Sequence, residues 1–460
     1  MTVTLVLPSS IADELHETAS LEVETAGVLL ARLVRTPTGN IRLLGRAMHW
    51  VPEEAYLARE PQALKISSEG YVPALSAAEV DEAIPIWLHT HTGEDASPKP
   101  SKHDEVVDHE LADLFRLRSG SALYGAVVIA HEGQHLRFVG HVESDEERLD
   151  IDRLIVTGAR FALTRNRLQG TEELPDQFDR NIRAFGGEIQ RVLADLSVAI
   201  VGCGGTGSAV AEQLARLGVR RFHLIDPDTL TASNITRVYG SYPTDVGRAK
   251  VDVVAEHLRR IAPEATVSAH RTKVTLEPGA ALLLDADVIF GCTDDNAGRL
   301  VLSRVATYVA TPVIDCGVLL SSGADGHLKD IYGRVTVLAP GSACLVCRGR
   351  IDLRRAAAEM LTPEEHRRLA DEGYAPALGN VEPAVVAYTT QVAAAAVCEL
   401  LERFIHYGPE PPPSEVLLRL HERELSTNDS HPREHHYCHR ASLKIGLGMT
   451  QPFLEQTWPA

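Results

Sequence analysis

Apolar and polar positions change their period twice along this chain. Up to about Arg165 the chain carries short runs with strand-like alternation, GVLLARLV, AIPIWLHTH, YGAVVIAH and HLRFVGHV. Amphipathic stretches with helical spacing, such as DEVVDHELADLF, lie between them. Period-two runs mixed with helical ones predict an α+β domain over residues 1–165. Residues 166–177 are polar, with glycine, proline and acids, and read as a linker. From Leu196 a continuous apolar run leads to a glycine turn, a helix and a second apolar run ending in acids. That is a βαβ unit, and it predicts a doubly wound parallel sheet in an α/β domain over 178–425. Residues 426–460 form a polar, His- and Cys-containing tail without a clear period.

Composition narrows the partners. A chain of 460 residues with 44% hydrophobic and 23% charged residues is long enough for two or three globular cores. The net charge of −18 argues against nucleic acid, whose binding depends on lysine and arginine neutralising phosphates. The longest apolar run, near Val392–Leu401, is too short to span a bilayer, and the first residues lack a basic segment followed by a long apolar one. A cytoplasmic location without membrane attachment is the expectation. Seven cysteines, including one Cys-x-x-Cys pair, suit metal binding or buried thiols better than a disulfide framework.

The first candidate chemistry lies in IPIWLHTH. On a strand, alternate residues share a face, so His89 and His91 are presented together to one cation. Asp104, in Ser101-Lys-His-Asp, offers a carboxylate and leaves a fourth position for water, the open coordination of a catalytic zinc. Glu24, ahead of the strand AGVLLARL, is a candidate general base and acid. Read alone, Ser101 and Asp104 are a helix capping box. Together the residues resemble the JAMM (MPN+) peptidase signature: a glutamate, H-x-H, then S-x-x-D. The resemblance implies His89, His91 and Asp104 as zinc ligands, Glu24 as acid and base, and Ser101 as a donor to the developing oxyanion. The proline that often follows the second histidine of that family is missing from TGEDASPKP.

The second constellation opens with Gly202, Gly204, Gly205 and Gly207 between a strand and a helix, a turn that lets phosphate approach backbone N–H groups. Asp226 stands at the end of the next strand, where an acid can bond ribose hydroxyls. To this point any nucleotide-binding domain fits, a dehydrogenase included. Asp228, Asn234, Arg237, Lys250 and Asp294 follow in order: two cations for a polyphosphate and a carboxylate for Mg²⁺. The series GxGGxGS, D-x-D, S-N-x-x-R, lysine and C-T-D resembles the ThiF/MoeB/ubiquitin-activating family over about Phe178–Leu401. The resemblance implies ATP-dependent adenylation of the C-terminal glycine of a ubiquitin-like or sulfur-carrier β-grasp protein. It also implies a homodimer in which Arg180 reaches the partner's ATP; an ordinary surface arginine is the competing reading. Members that form a thioester carry a cysteine in the crossover segment, and residues 351–383 carry none. Cys292, Cys316 and Cys398 read as buried thiols.

Cys344 and Cys347 have the spacing of tetrahedral zinc, and His435 with Cys438 are the candidates to complete a Cys₃His site; a reduced, metal-free pair is the alternative. Taken together, the sequence predicts a bifunctional enzyme using zinc, ATP and Mg²⁺. One domain cleaves at the C-terminus of a ubiquitin-like protein and the other adenylates the glycine, with a conjugating enzyme as a further expected partner. The competing classes are a dimeric scaffold without catalysis and a peptidase with an inactive second domain.

Overall fold

A computed structural model describes all residues except 61–62, 167–173, 323–326, 372–383 and 460. The chain divides into two compact units, Met1–Glu172 with Gly446–Gly448, and Glu173–Ile445 with Met449–Ala460. Most of the expected linker at 166–177 lies outside the described residues.

The first unit is built on one mixed nine-stranded sheet. Its strands run in spatial order 162–165, 153–157, 3–8, 41–50, 26–35, 84–94, 124–132, 135–143 and 148–150. The alternating runs form these strands because each residue pair sends one side chain to either face. Leu29, Leu43, Ile86, Leu88, Ile129 and Phe138 fill the core on one face. Val28, Leu30, Trp87, Phe115 and Tyr124 fill another on the opposite face, beneath the helices Val72–Val80 and Lys102–Ser119. Helix Lys102–Ser119 begins at a capping box, with Ser101 Oγ accepting from Asp104 N and Asp104 accepting from Ser101 N. It ends at Gly120 in the left-handed region.

The second unit holds an eight-stranded sheet in the order 266–270, 221–225, 197–201, 288–291, 313–322, 328–338, 415–419 and 424–428. The first five strands are mutually parallel and the last three pairings are antiparallel. In chain order the parallel strands therefore read 3-2-1-4-5, the Rossmann-like arrangement. The order reverses between Ser197–Val201 and Val288–Gly291, the switch point where such sheets bind ligands at their carboxyl edge. The stretch expected as a patternless tail contributes to this unit, since Glu424–Asn428 pairs with Glu415–Arg419. Among the described residues no helix is long and apolar enough to cross a membrane.

Candidate functional sites

In the first unit Ala26 pairs with His89, which sets Glu24, two residues earlier, at the same end of the strands as the histidines. Helix Lys102–Ser119 brings in Asp104 from the far side of the loop. Its Oδ2 lies 3.6 Å from His89 Nε2 and 4.0 Å from His91 Nε2. The donor atoms of His89, His91 and Asp104 all lie within 4.8 Å of one another. His89 is 6% exposed, and its Nε2 is buried without a hydrogen bond. A buried imidazole nitrogen left bare beside a carboxylate and a second imidazole suits a cation, because an unsatisfied buried donor or acceptor is otherwise costly. Burial pushes the Asp104 carboxyl up, but the two histidines outweigh it and hold Asp104 well below the ordinary carboxylate range. Burial raises the pKa of Glu24 against the opposing pull of His89 and His91. The Asp104 oxygen that faces the histidines also closes the capping box, accepting from Ser101 N at 2.6 Å. His103 and His109 are exposed, as their helical positions predict.

In the second unit the glycine turn closes tightly. Gly202 adopts φ +93°, and a Cβ on Gly207 would stand 1.8 Å from the Gly202 carbonyl oxygen. Where a Gly204 Cβ would stand there is open space, while its carbonyl faces the helix and accepts from Ser208 N and Ser208 Oγ. The turn is tied to Asp226, whose Oδ2 accepts from Cys203 N at 2.7 Å and whose Oδ1 accepts from Asp228 N at 2.8 Å. Asp226 is 5% exposed, and burial raises its pKa. Both oxygens of Asp226, the expected ribose ligand, thus brace the turn. Asp228 has the exposed carboxylate instead, paired with Lys250 Nζ at 2.7 Å. Lys250 is the first residue of helix Lys250–Ile261, and its N–H donates to Asp228 O. Arg237 lies across the start of helix Gly205–Arg216, with its side chain 3.2 Å from where a Gly205 Cβ would be. Its guanidinium donates to Ser233 O at 2.9 Å. Asn234 accepts from Thr231 N and so shapes the loop that carries Arg237. Beyond Gly291 the two acids divide their work. Asp295 caps helix Asn296–Tyr308 by accepting from Gly298 N, whereas Asp294 is left exposed. Arg180 is exposed in the first turn of helix Asp179–Asp195.

The cysteine cluster corrects one ligand. Cys344, Cys347, His436 and Cys438 have donor atoms within 4.8 Å of one another; His435 is not among them. Cys344 Sγ lies 3.6 Å from His436 Nδ1, Cys347 Sγ 3.6 Å from Cys438 Sγ, and His436 Nδ1 3.2 Å from Cys438 Sγ. Donor atoms on tetrahedral zinc, with bonds of about 2.1–2.3 Å, stand about 3.5 Å apart, so these four residues fit the ion. His435 has φ +60°, a left-handed turn that carries its own ring to a hollow lined by Tyr437, Ser442, Lys444 and Glu455. The N–H of Arg433 reaches Cys347 Sγ at 3.4 Å. A hydrogen bond from the Cys438 thiol holds Cys344 down to about 5. Cys316 is buried as expected and Cys292 is half-buried, but Cys398 is exposed. The buried stripe of its helix runs through Val392, Ala393, Ala396, Val397 and Leu400, and position 398 falls off it.

Comparison with known proteins bears on the second unit. The model of the ThiF family matches residues 178–439. The adenylyltransferase and sulfurtransferase uba4 of Emericella nidulans is 37% identical over 139 residues, covering 30% of this chain and 29% of that protein. Ubiquitin-like modifier-activating enzyme 5 of Oryza sativa subsp. japonica is 30% identical over 169 residues, covering 34% and 38%. The chain thus spans well under half the length of these relatives. A crystal structure of E. coli MccB with succinimide aligns at a TM-score of 0.46 with 17% identity, covering 58% of this chain and 75% of that one.

Proposed function

This chain belongs to the ThiF family, and from that premise we propose that it processes and then activates a ubiquitin-like β-grasp protein. Its second unit adenylates the C-terminal glycine, and its first unit is a JAMM-type zinc peptidase that exposes that glycine. The observation that carries the reading is the convergence, at the switch point of the second sheet, of the Gly202–Gly207 turn, open at Gly204, the Asp228–Lys250 pair and exposed Asp294.

In the adenylation step the substrate's terminal carboxylate attacks the α-phosphate of ATP, and pyrophosphate leaves. No protein nucleophile is required; the protein supplies position and charge. Backbone N–H groups after Gly204 meet the phosphates, Asp228 bonds the ribose, and Lys250 and Arg237 offset the charge that develops on the phosphate oxygens. Mg²⁺ bound at Asp294 would neutralise pyrophosphate charge. Arg180 is assigned to the partner's ATP in a homodimer. Without a cysteine in residues 351–383, the adenylate passes to sulfur transfer or directly to a conjugating enzyme.

For the first unit, His89, His91 and Asp104 would hold zinc, which supplies an activated water and polarises the scissile carbonyl. Glu24, whose carboxyl burial raises above the ordinary value, takes the proton from the attacking water and delivers it to the leaving amine. The Ser101 hydroxyl accepts from Asp104 N and keeps its own proton to donate to the oxyanion.

The test is pyrophosphate exchange into ATP with β-grasp proteins ending at Gly-Gly or extended beyond it. Exchange with both forms is expected, with Glu24→Gln abolishing it for the extended form alone. Cleavage of the extended form without exchange from any candidate would make the second unit a recognition platform. No cleavage and no exchange would leave a scaffold.

A further inference from the structure

The sheet face that carries His89 carries a second buried histidine. His89 pairs with Val128 and His141 with Ala126, two residues away on the same strand, while Glu143 pairs with Tyr124. Paired residues and their i±2 neighbours share a face, so His89, Tyr124, His141 and Glu143 stand together beneath helix Lys102–Ser119. Asp104 and Asp108 lie one turn apart on that helix. Each meets one histidine: Asp104 Oδ2 is 3.6 Å from His89 Nε2, and Asp108 Oδ2 is 3.4 Å from His141 Nε2.

His141 is 5% exposed, and its Nε2 has no hydrogen bond. Glu143 Oε2 lies 3.6 Å from the same nitrogen. Arg148 Nη1 joins the two acids, 3.6 Å from Asp108 and 3.4 Å from Glu143. Burial and Arg148 hold the His141 pKa down to about 4, so the ring is neutral at physiological pH. The helix itself explains the need for such a group. Its buried residues begin only at Leu111, and its first turn is mostly solvent-exposed. Between Asp104 and Leu111 the helix rests on half-buried Val107 and on the Asp108 carboxylate. The capping box closes this turn on itself but does not tie it to the sheet, and a turn lifted off the sheet would carry Asp104 away from His89.

We propose that Asp108, paired with Arg148 and packed against buried His141, is a positioning residue for the metal site: it pins the first helical turn so that Asp104 completes the ligand set. The proposal rests on the zinc reading of the first unit. Groups that orient metal ligands change affinity by about 10–100-fold when removed.

The experiment is titration of the metal-free full chain with cobalt(II). The cysteine cluster is recognised by sulfur-to-cobalt charge-transfer bands, and the His/Asp site by visible bands without them. Asp104→Ala identifies the latter. Asp108→Asn is expected to weaken that site by about 10–100-fold and to alter its visible envelope at saturation. The sulfur bands should stay unchanged and the melting temperature should move little. Arg148→Gln, at an exposed side chain, should act in the same direction more weakly, and it decides the matter should Asp108→Asn not fold. A wild-type site whose affinity and spectrum are the same in both variants overturns the proposal and leaves the zinc reading intact. A wild-type chain with no cobalt bands sensitive to Asp104→Ala overturns both.

Discussion

At the scale of the residue, the second site separates groups that build the turn from groups left for a ligand. Asp226 spends its oxygens on backbone N–H groups, whereas the exposed Asp228 carboxylate pairs with the largely buried Lys250 side chain. Lys250→Ala therefore removes charge where polyphosphate would lie. It should lower adenylate formation by about 10²-fold with little change in melting temperature, read by AMP production at saturating ATP. Gly207→Ala should act on the fold instead. Its Cβ would stand 1.8 Å from the Gly202 carbonyl oxygen, and backbone on both sides leaves no cheap relief. A loss of about 1–3 kcal/mol is expected, measured by denaturant unfolding, together with loss of nucleotide binding. Single residues also mark where sequence reading stopped. The H-x-x-C spacing to Cys438 singles out His435, but with His435 in a left-handed turn it is the adjacent His436 that joins the cluster. Asp108 sits four residues after Asp104, a helical spacing visible in the sequence; its partner His141 comes from a distant strand and was not foreseeable.

At the scale of the element, the antiparallel half of the second sheet is held by buried charge. Glu415 in strand Glu415–Arg419 accepts from Arg350 Nη2 at 2.8 Å, from Asn428 at 3.0 Å and from Thr336 at 3.1 Å. Burial pushes its carboxyl up, but these bonds outweigh burial and set its pKa below the ordinary value. A depressed carboxylate adds stability that is present above its unfolded pKa of about 4.3 and is lost as pH falls through the lower folded value. Glu415→Gln leaves Arg350 short of its partner and should cost about 3 kcal/mol at pH 7. Melting curves of variant and wild type should converge as the pH drops below about 4; a gap independent of pH would show that packing, not charge, is responsible. The elements themselves were largely legible. The glycine turn, the βαβ unit and the capping box at Ser101 follow from local pattern, because periodicity and caps act within a few residues. The strand Glu424–Asn428 was not legible: its residues ELSTN are polar, and they form a strand only because a neighbouring edge offers hydrogen bonds.

At the scale of the whole molecule, each unit brings distant segments to one point. The cysteine cluster joins Cys344 and Cys347 to His436 and Cys438, about ninety residues later, and so closes a long loop of the second unit. A zinc ion there would restrain that loop, and its removal by a strong chelator should lower the unfolding temperature of the second unit by at least about 5 °C, reversibly on adding zinc. An unchanged transition would mean that the four residues stand without metal. Residue type and order in the sequence were enough to indicate the ThiF family and most members of the two candidate metal clusters. These depend on composition and on spacing along the chain. Which histidine faces the thiols, which aspartate braces the glycine turn, and which groups surround Asp108 were decided only by tertiary structure. Those choices turn on backbone conformation and strand register between segments far apart, where no local pattern in the sequence reaches.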